Sequence, residues 1–153
     1  HTWAPERVGD EQLRIFEEEG VDLDRVYVGH SNDTADTDYL IGLMKKGAWL
    51  GLDRLPGGKW KNDTRPKWEE RAEVTVKLID AGFADRIMLG HDHTVGVTPT
   101  TREKRETNER HNPDAYLFIT RQFLPRLHEL GVPEETTRQI MVDNPRRFFE
   151  GRG

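Results

Sequence analysis

Hydrophobic and polar positions along this chain fall into a recurring unit of amphipathic stretch, glycine, short apolar run and polar residue. The segment DRVYVGH at 24–30 reappears as DRIMLGH at 85–91, and Gly20 or Gly82 closes the amphipathic stretch ahead of each copy. The unit therefore reads as helix, glycine stop, buried strand and a polar residue at the strand's end. Residues 9–19 (GDEQLRIFEEE) place Leu13 and Phe16 on one side among acids, which predicts a helix ended by Gly20, followed by a strand at 25–29. ADTDYLIGLMKKG predicts a second helix, with Asp36 or Thr37 as N-cap, an apolar stripe of Leu40, Leu43 and Met44, and Gly47 as the stop. A strand at 48–52 (AWLGL) leads to Asp53. Trp68, Ala72, Val76 and Ile79 then mark a third helix, ended by Gly82 before a strand at 86–90.

Three such alternations predict an α/β fold of parallel strands joined by crossovers, in which chemistry sits at the strands' C-terminal ends. The two Pro/Gly-rich or polar stretches, 54–67 and 93–112, read as loops long enough to be binding elements. Pro113 opens a helix that Pro125 interrupts or restarts, a short last helix starts near Pro133, and NPRRFF at 144–149 packs two phenylalanines. Three parallel strands alone would leave both sheet edges unpaired, so closure by a further segment is expected. The chain opens at His1 without methionine, and His1 is expected to be the last residue of one more strand whose body lies upstream.

Composition narrows the chemistry. The 153 residues suffice for one domain, yet 34% hydrophobic and 33% charged residues with a mean hydropathy of -0.83 make a lean core, as expected of one half of a larger interior. A net charge of -5 argues against nucleic acid as partner, and Arg146 with Arg147 reads as a solvated helix end. No apolar run suits a membrane span, and the cytoplasm is the default compartment. Without cysteine, any metal must be held by His and carboxylate. His1, His30 and Asp92 then stand out, because a hydrolytic metal centre needs imidazoles and carboxylates converging from different strand ends. The repeat aligns His91 with His30, whereas Asp92 would be the carboxylate ligand. Alternation does not decide between them, since parallel strands are buried on both faces. From the residues alone Asp33 in SNDTADT reads first as a cap or turn residue, and Asp53 with Arg54 as an ion pair at the mouth of a loop.

HTWAP, the step from there to GHSNDTADTDYL, GLDR at 51–54, LGHD at 89–92 and the terminal NPRRFF together resemble the phosphotriesterase family, including the phosphotriesterase-like lactonases. The resemblance implies a partial (β/α)8 TIM barrel, with residues 1–153 forming a single C-terminal half-barrel from the end of strand 5 through strand 8. It also implies two divalent metal ions, zinc first and cobalt, manganese or iron as alternatives. Carried across position by position, His1 and His30 resemble the ligands of the more exposed metal. Asp92 resembles the ligand of the more buried metal, which also takes the proton released by a metal-bridging hydroxide. Asp33 matches an acidic position of the proton path. Arg54 stands where lactonase-like members carry arginine, and Trp60 and His93 fall in the loops that shape the substrate pocket. The family's HxH pair and bridging lysine have no counterpart here, since every lysine lies on a predicted helix or loop. The missing N-terminal half-barrel would have to supply them, and the segment alone is expected to bind metal weakly. The reading is a metal-dependent hydrolase of lactones, other esters or phosphotriesters, with a homodimer allowed. Its rivals are a non-catalytic half-barrel serving as an assembly partner, and another amidohydrolase-type reaction on the same scaffold.

Overall fold

The structure, a computed structural model, describes residues 1–56, 64–93 and 101–151, without the side chains of residues 104, 105 and 108. Its centre is a sheet of three parallel strands in the order β1 (Tyr27–Val28), β2 (Trp49–Leu52), β3 (Ile87–Leu89). Tyr27 pairs with Trp49 and Val28 with Leu50, while Leu50, Gly51 and Leu52 pair with Ile87, Met88 and Leu89. The parallel α/β arrangement is thus the one expected from the repeat. The strands are shorter than their apolar runs. Leu23–Arg25 is taken into a 3₁₀ turn, for which the Asp22 side chain accepts the Asp24 N–H at 3.0 Å, and only then does the chain extend.

Helices α1 (Val8–Glu18), α2 (Thr37–Lys45) and α3 (Trp68–Leu78) form where the periodicity places them. Asp36, not Thr37, is the cap of α2, its carboxylate accepting the Tyr39 N–H at 3.0 Å. One core joins Leu13, Leu40, Leu43 and Met44 of α1 and α2 to Leu50, Leu52 and Ile87 of the sheet and to Val74 and Leu78 of α3. A second cluster packs Leu55 and Ala72 against Phe118, Ile119, Phe123 and Leu127, and Ile79 and Leu89 touch both. Trp68 meets Phe118 edge-on at 5.7 Å, the packing role its helical spacing suggested. Of the two phenylalanines of NPRRFF, Phe148 packs on Tyr27 and Trp49 whereas Phe149 is 80% exposed.

The C-terminal third departs from the sequence reading in two places. Within the stretch read as a loop, Arg102–His111 forms helix α4. It has no apolar stripe to reveal it, and pairs such as Arg102–Glu106, one turn apart, support it instead. The short helix expected near Pro133 also continues: α6 (Glu134–Arg138) runs through a wide π turn, Gln139–Asp143, into α7 (Asn144–Glu150). A π turn at Ile119–Phe123 likewise precedes α5 (Leu124–Glu129). Pro125 and Pro145 each follow such a π turn inside a continuous helix, and the wide turn is where the helix accommodates a residue that lacks an N–H. Among the described residues no helix is long and apolar enough to cross a membrane.

Gly51 makes the closest approach in the sheet. A Cβ there would stand 2.3 Å from the Tyr27 hydroxyl oxygen and 2.4 Å from its Cζ. Gly51→Ala is expected to destabilise the fold by about 1–3 kcal/mol through overpacking, and to cost much less in a Tyr27→Ala background. Urea unfolding of the four proteins checks this, and equal losses in both backgrounds would contradict it.

Candidate active site

The three strands end alike. Beyond β1, β2 and β3 the chain turns through His30 (φ 62), Arg54 (φ 53) and Asp92 (φ 45), three of the five described non-glycine residues with positive φ. Left-handed backbone costs a side-chain-bearing residue about 1–2 kcal/mol, and its concentration at one rim is the pattern of a site that aims side chains.

At the first strand end, His30 is held twice by one carboxylate. Its Nδ1 lies 2.7 Å from Asp53 Oδ1, and its backbone N–H donates to Asp53 Oδ2 at 3.1 Å. The Asp53 backbone N–H in turn donates to Asn32 Oδ1 at 3.1 Å. Burial pushes the Asp53 carboxyl above its ordinary range, and the hydrogen bonds and charge of His30 pull it back. A carboxylate accepts only, so in the neutral ring Nδ1 carries the proton and the Nε2 lone pair is left for another partner. His1 stands edge-on to this ring, centroids 4.2 Å apart. Its Nε2 lies 3.4 Å from Arg54 Nη2, a group that only donates, so here too Nε2 carries the lone pair. Gln12 donates to the His1 carbonyl at 2.8 Å and ties the residue to α1.

Arg54 connects the remaining groups. Its Nη1 donates to Asp33 Oδ2 at 2.6 Å and its Nε to Asp92 Oδ2 at 3.2 Å, so one guanidinium reaches His1, Asp33 and Asp92. Asp33 is buried, and it also accepts from Arg65 at 3.3 Å and from Arg71 at 2.9 Å. Arg71 is 1% exposed and donates further to the carbonyls of Pro66 (2.7 Å) and Asp53 (3.0 Å).

Of the residues singled out from sequence, His1, His30, Asp33, Arg54 and Asp92 meet at one rim. Of the neighbours His91 and Asp92, Asp92 meets Arg54, whereas His91 Nε2 accepts the Ile119 N–H at 3.4 Å. Burial, helped by His93, lowers the His91 pKa and suits that acceptor role. His93 lies beside the rim against Tyr116, rings 5.0 Å apart, and its carbonyl accepts the Tyr116 hydroxyl at 2.6 Å. Trp60 lies outside the described residues. Asp53 is not the local ion-pair partner of Arg54 but the support of His30. Sequence reasoning also passed over Asn32, Arg65 and Arg71. Only Arg71 left a trace, as a charge lying between Trp68 and Thr75 on the inner side of a helix.

The donor chemistry suits a divalent metal at His1 and His30: two adjacent imidazoles, His30 backed by a carboxylate with its Nε2 lone pair left over, and His1 with an Nε2 lone pair that now faces Arg54. Among the described residues, no group of three or more His, Cys, Asp or Glu is gathered as a ligand set, and Arg54 lies between His1 and Asp92.

The family model described as Phosphotriesterase family matches residues 1–149. The solved structure of the phosphotriesterase from Mycobacterium tuberculosis superimposes with a TM-score of 0.83 at 36% identity, over 98% of this chain and 44% of that one. An aryldialkylphosphatase of Saccharolobus solfataricus is 33% identical over 97% of this chain and 46% of its own length. An N-acetyltaurine hydrolase of Salmo salar is 24% identical over 91% of this chain and 39% of its own. The chain thus spans less than half the length of these relatives.

The His30–Asp53 pair fixes a tautomer, which is measurable. Nitrogen-15 imidazole spectra are expected to place the His30 proton on Nδ1, and Asp53→Leu is expected to release it to Nε2. An unchanged spectrum in the variant would contradict the assignment.

Proposed function

This chain belongs to the phosphotriesterase family, and on that footing we propose that it is the C-terminal half of a (β/α)8 barrel hydrolase acting on lactones, other esters or phosphotriesters. One observation carries the proposal: His1, His30, Asp33, Arg54 and Asp92 gather at the C-terminal rim of three parallel strands, linked through a single guanidinium. His1, His30 and Asp92 would hold divalent metal, zinc or alternatively cobalt, manganese or iron. When bound, such metal supplies Lewis acidity and lowers the pKa of water.

The chain's own residues do the rest. Asp53 keeps the proton of His30 on Nδ1 and fixes the ring's direction. Asp92, tied to Arg54 through Oδ2, has Oδ1 to accept the proton of the attacking water, as a general base should. Arg54 is held toward the rim by Asp33, and its positive charge stands where negative charge develops on the carbonyl or phosphoryl oxygen. Asp33 fixes the guanidinium that also reaches Asp92, so its part in a proton path would be to hold Arg54 and Asp92 in place. His93 and Trp60 would line the substrate pocket. The remaining metal ligands would come from an N-terminal half-barrel.

The aryldialkylphosphatase and N-acetyltaurine hydrolase relatives favour phosphoester and amide chemistry beside lactones, so a second reading, amide hydrolysis on the same scaffold, stands next to the first. The test uses the complete natural chain. Purified protein is expected to carry about two divalent ions and to hydrolyse at least one lactone, aryl dialkyl phosphate or N-acyl amine, with His30→Ala slower by roughly 100-fold or more. Metal-free, inactive protein would favour the non-catalytic half-barrel, and full activity in His30→Ala would remove that residue from the site.

A further inference from the structure

The buried guanidinium of Arg71 has more partners than neutralising Asp33 requires. Asp33 already accepts from Arg54 and Arg65, both more accessible to water. A charge taken out of water costs free energy that an apolar side chain of similar size would avoid, so an arginine that is 1% exposed calls for a reason. Its partners supply one. Nε donates to the Pro66 carbonyl ahead of α3, Nη1 to the Asp53 carbonyl at the end of β2, and Nη2 to Asp33 Oδ1 after β1. Three segments distant in sequence are fixed by one rigid, planar group.

Two of those contacts open onto the rim. The other oxygen of Asp33 holds Arg54, which reaches Asp92 and His1. The peptide of Asp53 is pinned on both sides, its N–H on Asn32 and its carbonyl on Arg71, while its carboxylate holds His30. Arg71 touches neither rim imidazole nor the place where substrate would react. Among the described residues it joins the supports of both halves of the rim, Asp33 and Asp53.

We propose that Arg71 is a positioning residue that sets the direction of His30 through Asp53 and of Arg54 through Asp33. The part of this inference that concerns turnover rests on the hydrolase reading above. Lysine keeps the charge but cannot address three divergent acceptors from a planar fork, so Arg71→Lys separates position from charge.

In the complete natural protein, Arg71→Lys is expected to lower kcat about 100-fold while KM stays within about threefold, and to shift or broaden the His30 Nδ1–H signal. A kcat within about threefold of the parent, or an unmoved His30 signal, would overturn the proposal. Should the variant fail to fold, the unaltered protein decides. Arg71 held by three acceptors is expected to show separate, slowly exchanging Nη–H signals in a nitrogen-15 spectrum, and one averaged signal would overturn it. A parent without turnover on any ester or amide would defeat the hydrolase reading, and the His30 and Arg71 signals would still judge the positioning.

Discussion

One buried carboxylate organises this molecule's functional rim. Asp33 lies out of contact with water and accepts from Arg54, Arg65 and Arg71, which come from the end of β2, from the approach to α3 and from α3 itself. Burial disfavours the charge on Arg71, and Asp33 is the first of the groups that offset this. Removing one member of a buried ion pair typically costs about 3–5 kcal/mol, because the other charge is stranded. The segments that carry the rim are therefore tied to one another by charge above the apolar core.

Above that anchor the rim is assembled by strain and by space. His30, Arg54 and Asp92 occupy left-handed backbone at successive strand ends, a cost of about 1–2 kcal/mol each that the surrounding contacts must offset. Gly90 clears room beside them for Asp53, the support of His30. A Cβ at Gly90 would lie 3.2 Å from Asp53 Cβ, closer than ordinary contact. The phenol of Tyr27 occupies the space over Gly51, and burial with the nearby charges of Asp53 and Asp92 pushes its pKa up to about 12. Side chains that can act thus stand over a floor where side chains are missing or neutral.

How much of this was legible in the sequence follows from the range of each interaction. The parallel strands and helices α1 to α3 were readable because apolar periodicity and glycine stops are local signals. His1, His30 and Asp92 stand out at strand ends, whereas Asp33 and Arg54 enter only through the family resemblance. Helix α4 was not legible, because without an apolar stripe it reads as a loop. Between His91 and Asp92 the strand pattern is silent, since parallel strands are buried on both faces, and only the family resemblance selects Asp92. Asp53 was misread because its partner lies 23 positions away. Arg71 was passed over because Glu69, Glu70 and Glu73 around it suggest a solvated surface. What escaped was long-range polar pairing, which leaves no period in the chain.

The direct measurement of the anchor is the unfolding free energy of Asp33→Asn against the parent, a substitution that keeps shape and removes charge. A loss of about 3 kcal/mol or more is expected if the three arginines depend on that carboxylate. A loss below about 1 kcal/mol, the range of an exposed ion pair, would contradict it.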